Sequence, residues 1–178
     1  MTQAHLAGFG SGALISETYR YYLYRHWIDD APRVVWVMLN PSTADETKDD
    51  PTIRKCVGFS RMWGYGGIVV VNLFAYRATK PRELQHVADP AGAKNDRWIE
   101  DLVGSFGAGN GLIMAAWGVP TRVSLEFRCR FIERQRHVFA LLGRIGMVNC
   151  LGTTAGGFPR HPLMVAYKQE RCLLERAA

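Results

Sequence analysis

Four short apolar runs, Val34 to Leu39, Ile68 to Leu73, Leu112 to Ala116 and Met147 to Leu151, constrain the fold of this chain more than any other feature. They are too short for amphipathic helices and almost continuously apolar, as expected of strands covered on both faces. After the second run, Trp98, Leu102, Val103 and Phe106 repeat at spacings of three and four, the period of a helix face. A longer helical stretch runs from about Ser124 to Leu142, and a last one from about Met164 to Glu175. Strands alternating with helices predict βαβ units and a parallel sheet. Ahead of them, Tyr19 to Trp27 is dense in aromatics on alternating sides, and Asp29, Asp30 and Pro32 follow as turn residues. That reads as a hairpin leading into the sheet. The expected fold is therefore α/β, a three-layer sandwich with a short, mainly parallel central sheet and an N-terminal β-hairpin, in one domain spanning 1–178.

The totals agree with such a domain. With 178 residues, 48% of them apolar and 21% charged, the chain has enough apolar material for one core and lacks the profile of disorder. The start MTQAHLAGFGSG has no basic segment followed by an apolar stretch, and no window approaches a membrane span. A cytoplasmic protein without membrane attachment is expected. Cys56, Cys129, Cys150 and Cys172 are widely separated and form no C-x-x-C pair, so reduced thiols are expected rather than zinc or a redox centre. Asp45, Asp49 and Asp50 match no specific cation loop and read as solvated loop charges. Gly64, Gly66 and Gly67 precede a strand and form a turn, not a phosphate cradle. No metal and no cofactor is expected.

The net charge of +6 and pI near 9.4 suit a polyanion partner. Arg122, Arg128, Arg130, Arg134, Arg136 and Arg144 concentrate that charge against only Glu126 and Glu133. A backbone-binding strip and an ordinary solvated helix face both fit this pattern.

The unusual polar residues fall where the runs end. Asn40 follows the first strand, Asn72 lies near the end of the second, Trp117-Gly118 closes the third, and His161 comes a loop after the fourth. In an open α/β sheet the carboxyl ends of neighbouring parallel strands form the ligand crevice. Asn40 before Pro41 also suits a plain turn. Asn72 is harder to dismiss, because an amide inside Val69-Val70-Val71-Asn72-Leu73-Phe74 must be paired when buried, at a cost of about 1 to 3 kcal/mol otherwise. A planar donor–acceptor pair held in a pocket can read a base edge. His161 stands between Pro159 and Pro162, which restrict the loop that carries it.

The segments Leu39-Asn40-Pro41-Ser42-Thr43-Ala44-Asp45, Asp50-Pro51-Thr52-Ile53-Arg54, Val71-Asn72-Leu73-Phe74-Ala75 and Pro159-Arg160-His161-Pro162-Leu163 resemble a bacterial domain family with no assigned function. A more remote resemblance is to the uracil-DNA glycosylase superfamily. It is carried by Met38-Leu39-Asn40-Pro41, Val70-Val71-Asn72, Ala116-Trp117-Gly118 and Arg160-His161-Pro162, in the superfamily's order and at comparable intervals. The resemblance implies a uracil-DNA glycosylase-like sandwich in which Asn40 orients the attacking water, Asn72 bonds a flipped base, and His161 stabilises charge on the departing base. Pro41, Phe74 and Trp117 complete the expected base-binding set. Ser42, Arg54, Arg128, Arg134 and Arg160 are the expected contacts to a nucleic-acid backbone.

Three departures bear on the chemistry. Ser42 and Leu163 stand where the superfamily has glycine and serine, and position 40 holds no carboxylate. An asparagine can orient water but cannot take its proton. The expected activity is hydrolysis of an N-glycosidic bond to a base or modified base in nucleic acid or nucleotide. A base-modifying transferase and a non-catalytic binder of modified nucleotides or nucleic acid remain as alternatives.

Overall fold

A computed structural model describes residues 10–176; residues 1–9, which hold most of the start MTQAHLAGFGSG discussed above, and residues 177–178 lie outside the described part. The elements in chain order are β1 (Gly10–Ser16), β2 (Tyr19–His26), β3 (Arg33–Met38), α1 (Pro51–Met62), β4 (Gly67–Asn72), α2 (Asn95–Phe106), β5 (Leu112–Ala115), α3 (Leu125–Gly143), β6 (Val148–Cys150) and β7 (Cys172–Leu173). Short 3-10 turns lie at Pro81–His86 and Pro162–Met164. The four apolar runs all form strands, within a residue or two of their expected bounds.

One sheet has the order β1-β2-β4-β3-β5-β6-β7. Only β4, β3, β5 and β6 are mutually parallel; β1 on β2, β2 on β4 and β7 on β6 are antiparallel. The sheet is thus mixed and not mainly parallel. Alternate side chains of the central strands feed two cores on opposite faces, the signature of a sheet covered on both sides. Val35, Val37, Val69, Val71 and Ile113 meet α2 and α3 through Ile99, Val103, Phe127 and Phe131. Val34, Trp36, Ile68, Val70 and Met114 meet α1 through Ile53, Cys56 and Phe59. Helices therefore lie on both faces of the sheet.

Three further expectations are corrected. The hairpin exists, but it is β1 turning into β2 across Glu17 and Thr18, and the Asp29–Pro32 turn carries the chain past β4 to reach β3. The segment expected to be a last helix is a 3-10 turn, loop and β7 instead. Pro162 opens it, and Leu163, Met164 and Tyr167 are exposed, so no continuous apolar face exists to hold a helix on the sheet. The aspartates read as solvated charges each have a local task. Asp45 accepts the Thr47 and Lys48 amides, Asp49 pairs with Arg25 at 2.9 Å, and Asp50 caps α1 through the Ile53 N–H at 2.9 Å, just ahead of Pro51 at the first helical position.

A candidate ligand-binding cavity at the sheet edge

The parallel core brings the ends of β3, β4 and β5 together, and backbone bonds extend that register into the loops. Leu73 N–H donates to Met38 O at 2.8 Å, Phe74 N–H to Leu39 O at 3.0 Å, and Ala116 N–H to Val37 O at 2.8 Å. Above these ends lies a cavity of about 520 Å³, lined by Asn40, Ser42, Asn72, Trp117 and His161 together with Arg20 and Asp50. Its size falls in the ordinary range for small-molecule sites. Four of the polar or aromatic positions singled out along the sequence thus meet at one place.

Asn72 is 1% exposed, and neither Nδ2 nor Oδ1 has a hydrogen-bond partner among the described residues. Its strand supplies no partner because the side chain follows Val70 onto the α1 face, where the cavity replaces the apolar core. Leaving such an amide unpaired costs about 1 to 3 kcal/mol. The backbone beside it is held firmly from the opposite face. Asn95 Nδ2 donates to the carbonyls of Asn72 and Leu73 at 2.9 and 3.1 Å, and Arg134 Nε donates to Leu73 O. Arg134 also pairs with Asp96 at 2.6 Å.

Asn40 spends its Nδ2 on the carbonyls of Pro41 and Ala78, at 2.9 and 2.7 Å, tying the loop after β3 to the loop after β4. That commitment fixes the amide plane and leaves Oδ1 as its remaining acceptor. Trp117 is held by Nε1–H donation to Gln135 Oε1 at 2.9 Å, with both residues buried. His161 accepts the Leu163 N–H at Nδ1, at 3.4 Å, so its ring proton sits on Nε2. Burial pushes its pKa below the ordinary value, with Asp50 opposing, and the ring is neutral at physiological pH. Gly118 makes room for it. With φ of +66° and a would-be Cβ only 3.1 Å from His161 Cβ, that position requires glycine.

The other expected site residues lie elsewhere. Phe74 is turned into the α2–α3 core, 5.6 Å from Phe127 ring to ring, and Pro41 contributes its carbonyl to the loop clasp. Arg54 bonds Asp49 O, Arg160 bonds Thr153 O, and Arg128 is exposed on α3. Arg134 is not part of a surface strip: its side chain is 11% exposed and engaged as described. Of the remaining arginines near it, Arg130 donates to Ala88 O and Arg144 pairs with Glu100.

Two cavity residues, Arg20 and Asp50, and Asn95 on the opposite face behind Asn72 were not evident from sequence. Arg20 comes from β2, yet it is 2% exposed and lines the cavity. Burial lowers its pKa to about 10, against an opposing pull from Asp50, so it remains charged at neutral pH. An arginine within Tyr19-Arg20-Tyr21-Tyr22-Leu23 was the available signal, but its facing depends on a bulge that the residue pattern does not reveal.

Residues 20–163 match the family described as a protein of unknown function (DUF1643). The chain belongs to the DUF1643 family. No curated protein and no solved structure matches it. The matched span begins at Arg20 and runs past His161, so every cavity residue named above lies within the DUF1643 region. Among the described residues, no helix is long and apolar enough to cross a membrane.

Proposed function

We propose that the cavity receives a nucleobase and that this DUF1643 protein is a glycosylase-like enzyme acting on a base or modified base in nucleic acid or nucleotide. The observation that carries this reading is Asn72, an amide buried to 1% exposure on the cavity wall with both polar atoms unpartnered. A donor and an acceptor side by side in one rigid plane are complementary to the edge of a base. The ordered likeness of the Asn40, Asn72, Trp117 and His161 segments to the uracil-DNA glycosylase superfamily supports the same reading, as does the position of the cavity at the carboxyl edge of the parallel strands.

In this reading Asn40 Oδ1 holds a water, and Asp50, whose Oδ1 is taken by the Ile53 N–H, keeps a second oxygen to receive its proton. That carboxylate compensates for the one that position 40 lacks. Neutral His161 donates from Nε2 to the oxygen on which charge develops as the bond to the base breaks. Exposed Arg54, Arg128 and Arg160 would meet the nucleic-acid backbone.

The test is base release from oligonucleotides containing uracil, hypoxanthine, xanthine, 5-hydroxymethyluracil or mismatched thymine, beside equilibrium binding of the same ligands. Asn72→Ala should weaken discrimination between bases by about 1 to 3 kcal/mol, whereas Asn40→Ala and His161→Ala should lower turnover more than affinity. No release, with binding indifferent to all three changes, would overturn the reading. A binder without catalysis is the second reading, favoured by the use of Asn40 as a loop clasp. It predicts binding that depends on Asn72 with no product formed.

A further inference from the structure

Arg20 and Arg25 lie five residues apart on β2, and the protein treats them differently. Arg25 gives Nε to Asp49, Nη1 to Tyr24 O and Nη2 to Asp45 O, so its fork is occupied by protein acceptors. Arg20 gives Nη1 to Ala44 O at 2.8 Å, its Nε has no partner, and no carboxylate lies within ion-pair distance of it among the described residues. It is nonetheless the more deeply buried of the two.

A bulge in the hairpin explains how it comes to face the cavity. Leu14 lies opposite Tyr22 and Ile15 opposite Arg20, so Tyr21 is an extra residue in β2. Tyr22 and Tyr24 face the α2 side, and Leu23 faces the α1 side. Strict alternation would send Arg20 to the α2 side with Tyr22. Tyr21 and Tyr19 take that side instead, packed about Gly92, and Arg20 turns to the α1 side beside Ala44 and the cavity. Bulges beside functional sites commonly re-aim a side chain in this way. Because β2 pairs with β4, the re-aimed guanidinium comes from the strand adjacent to Asn72.

We infer that Arg20 makes this a site for oxo-bases, those with a uracil-like or 6-oxopurine edge, in preference to amino-bases. The inference rests on the reading of the cavity as a nucleobase site. The Asn72 amide alone does not discriminate, since turned one way it matches a C=O beside an N–H, and turned the other way it matches an NH₂ beside a ring nitrogen. A guanidinium has donors only. Lining the same cavity as the amide, it is satisfied by an exocyclic oxygen and opposed by an exocyclic amine, and it fixes which way the amide is used. Its charge acts in the same direction, because an oxo-base spreads the negative charge of bond cleavage onto oxygen and an amino-base does so less well.

The experiment is binding of deoxyuridine against deoxycytidine, and of deoxyinosine against deoxyadenosine, to the full chain, with thermal melting of each variant as a check on folding. Wild type should favour the oxo member of each pair at least tenfold. Arg20→Met should bring both ratios close to one, and Arg20→Lys, which keeps the charge but not the fork, should retain the direction of the preference several-fold reduced. Unchanged ratios in whichever variant folds, or a wild-type preference for amino-bases, overturn the inference while leaving the nucleobase reading in place. Wild type that binds none of the four bases, either as nucleosides or within oligonucleotides, overturns both.

Discussion

On the α2–α3 side of the end of β4, buried Asn95 and half-buried Arg134 give their donors to protein acceptors: two carbonyls for Asn95 Nδ2, and a carbonyl and Asp96 for Arg134, while Asn95 Oδ1 has no partner. On the α1 side of the same strand end, Asn72 and Arg20 are both buried, yet Asn72 has no partner and Arg20 gives only Nη1 to Ala44 O and leaves Nε unbonded. The two sides show what a buried polar group is for. The first pair holds the backbone in place, and the second is held in place by it. A group that stabilises the fold gives its donors to the fold, as Asn95 Nδ2 does, whereas a group with neither donor nor acceptor engaged, as Asn72, is a standing cost of about 1 to 3 kcal/mol that the rest of the domain must offset.

Mutations should therefore divide by side. The largest effect is expected at Arg134. Arg134→Met removes the donor to Leu73 O and leaves Asp96 without the guanidinium that, against the push of burial, lowers its pKa. Asp96 keeps partial access to water, so the loss should sit near the low end for a broken buried pair, about 3 kcal/mol. For a chain of this size that is a fall in Tm of about 6 to 12 °C. Thermal unfolding measures it directly, and a shift below 2 °C would remove Arg134 from the structural side of the comparison.

The opposite sign is expected across the strand. Asn72→Leu replaces an unpartnered buried amide with an apolar group of similar size in a wall that already contains Met38, Leu39 and Val70. Stability should rise by about 1 to 2 kcal/mol while nucleoside binding is lost. If unfolding in urea shows the variant to be less stable than its parent, Asn72 belongs with Asn95 as a support.

A smaller effect is expected where the cavity wall is shaped by backbone. Gly118→Ala forces a side chain into φ of +66° and sets its Cβ 3.1 Å from His161 Cβ. The backbone cost is about 1 kcal/mol. The informative readout is activity, because displacement of His161 should lower turnover beyond what lost stability explains. Normal turnover in a folded variant would mean that the position of His161 is not critical.

How much of this was legible in the sequence follows from the same physics. The four central strands and helices α2 and α3 were legible because apolar period alone decides them. The meeting of Asn40, Asn72, Trp117 and His161 was legible because parallel strands joined by crossovers put their carboxyl ends on one edge. Helix α1 was missed, since its buried stripe runs through Cys56 and Ser60 as well as Ile53 and Phe59, and so does not read as apolar. The mixed sheet was missed because β2 pairs with β4 and not with the strand that follows it in the chain, a choice made by tertiary packing. Arg20 was hidden by the extra residue at Tyr21, which reverses the side its pattern implies. Asn95 follows Lys94 in a polar stretch, and nothing local marks it as the residue that grips the end of β4.

The smallest expected effect concerns protonation of His161. Its pKa is lowered by burial, with Asp50 opposing and the charged Arg20 on the same cavity wall. Above the ordinary value of 6.5 the ring is neutral in both the folded and the unfolded chain, and its contribution to stability is fully present. As pH falls below 6.5, the unfolded chain binds a proton that the folded one does not, so stability is lost until pH reaches the folded pKa. A single group cannot change stability by more than about 1.4 kcal/mol per pH unit. Comparing urea unfolding of wild type and His161→Gln from pH 8 to pH 5 isolates this contribution from those of the other titrating groups. The difference in stability between the two should be constant above 6.5 and should move against wild type below it. A saturating base analogue that accepts the Nε2 proton should extend the loss to lower pH, because it binds only the neutral tautomer and favours that form further. A difference curve flat across the whole range would mean that His161 is hydrated enough to take its proton freely. The cavity would then not hold His161 neutral at pH below 6.5, and only Asn72 and Arg20 would still separate this side from the α2–α3 side.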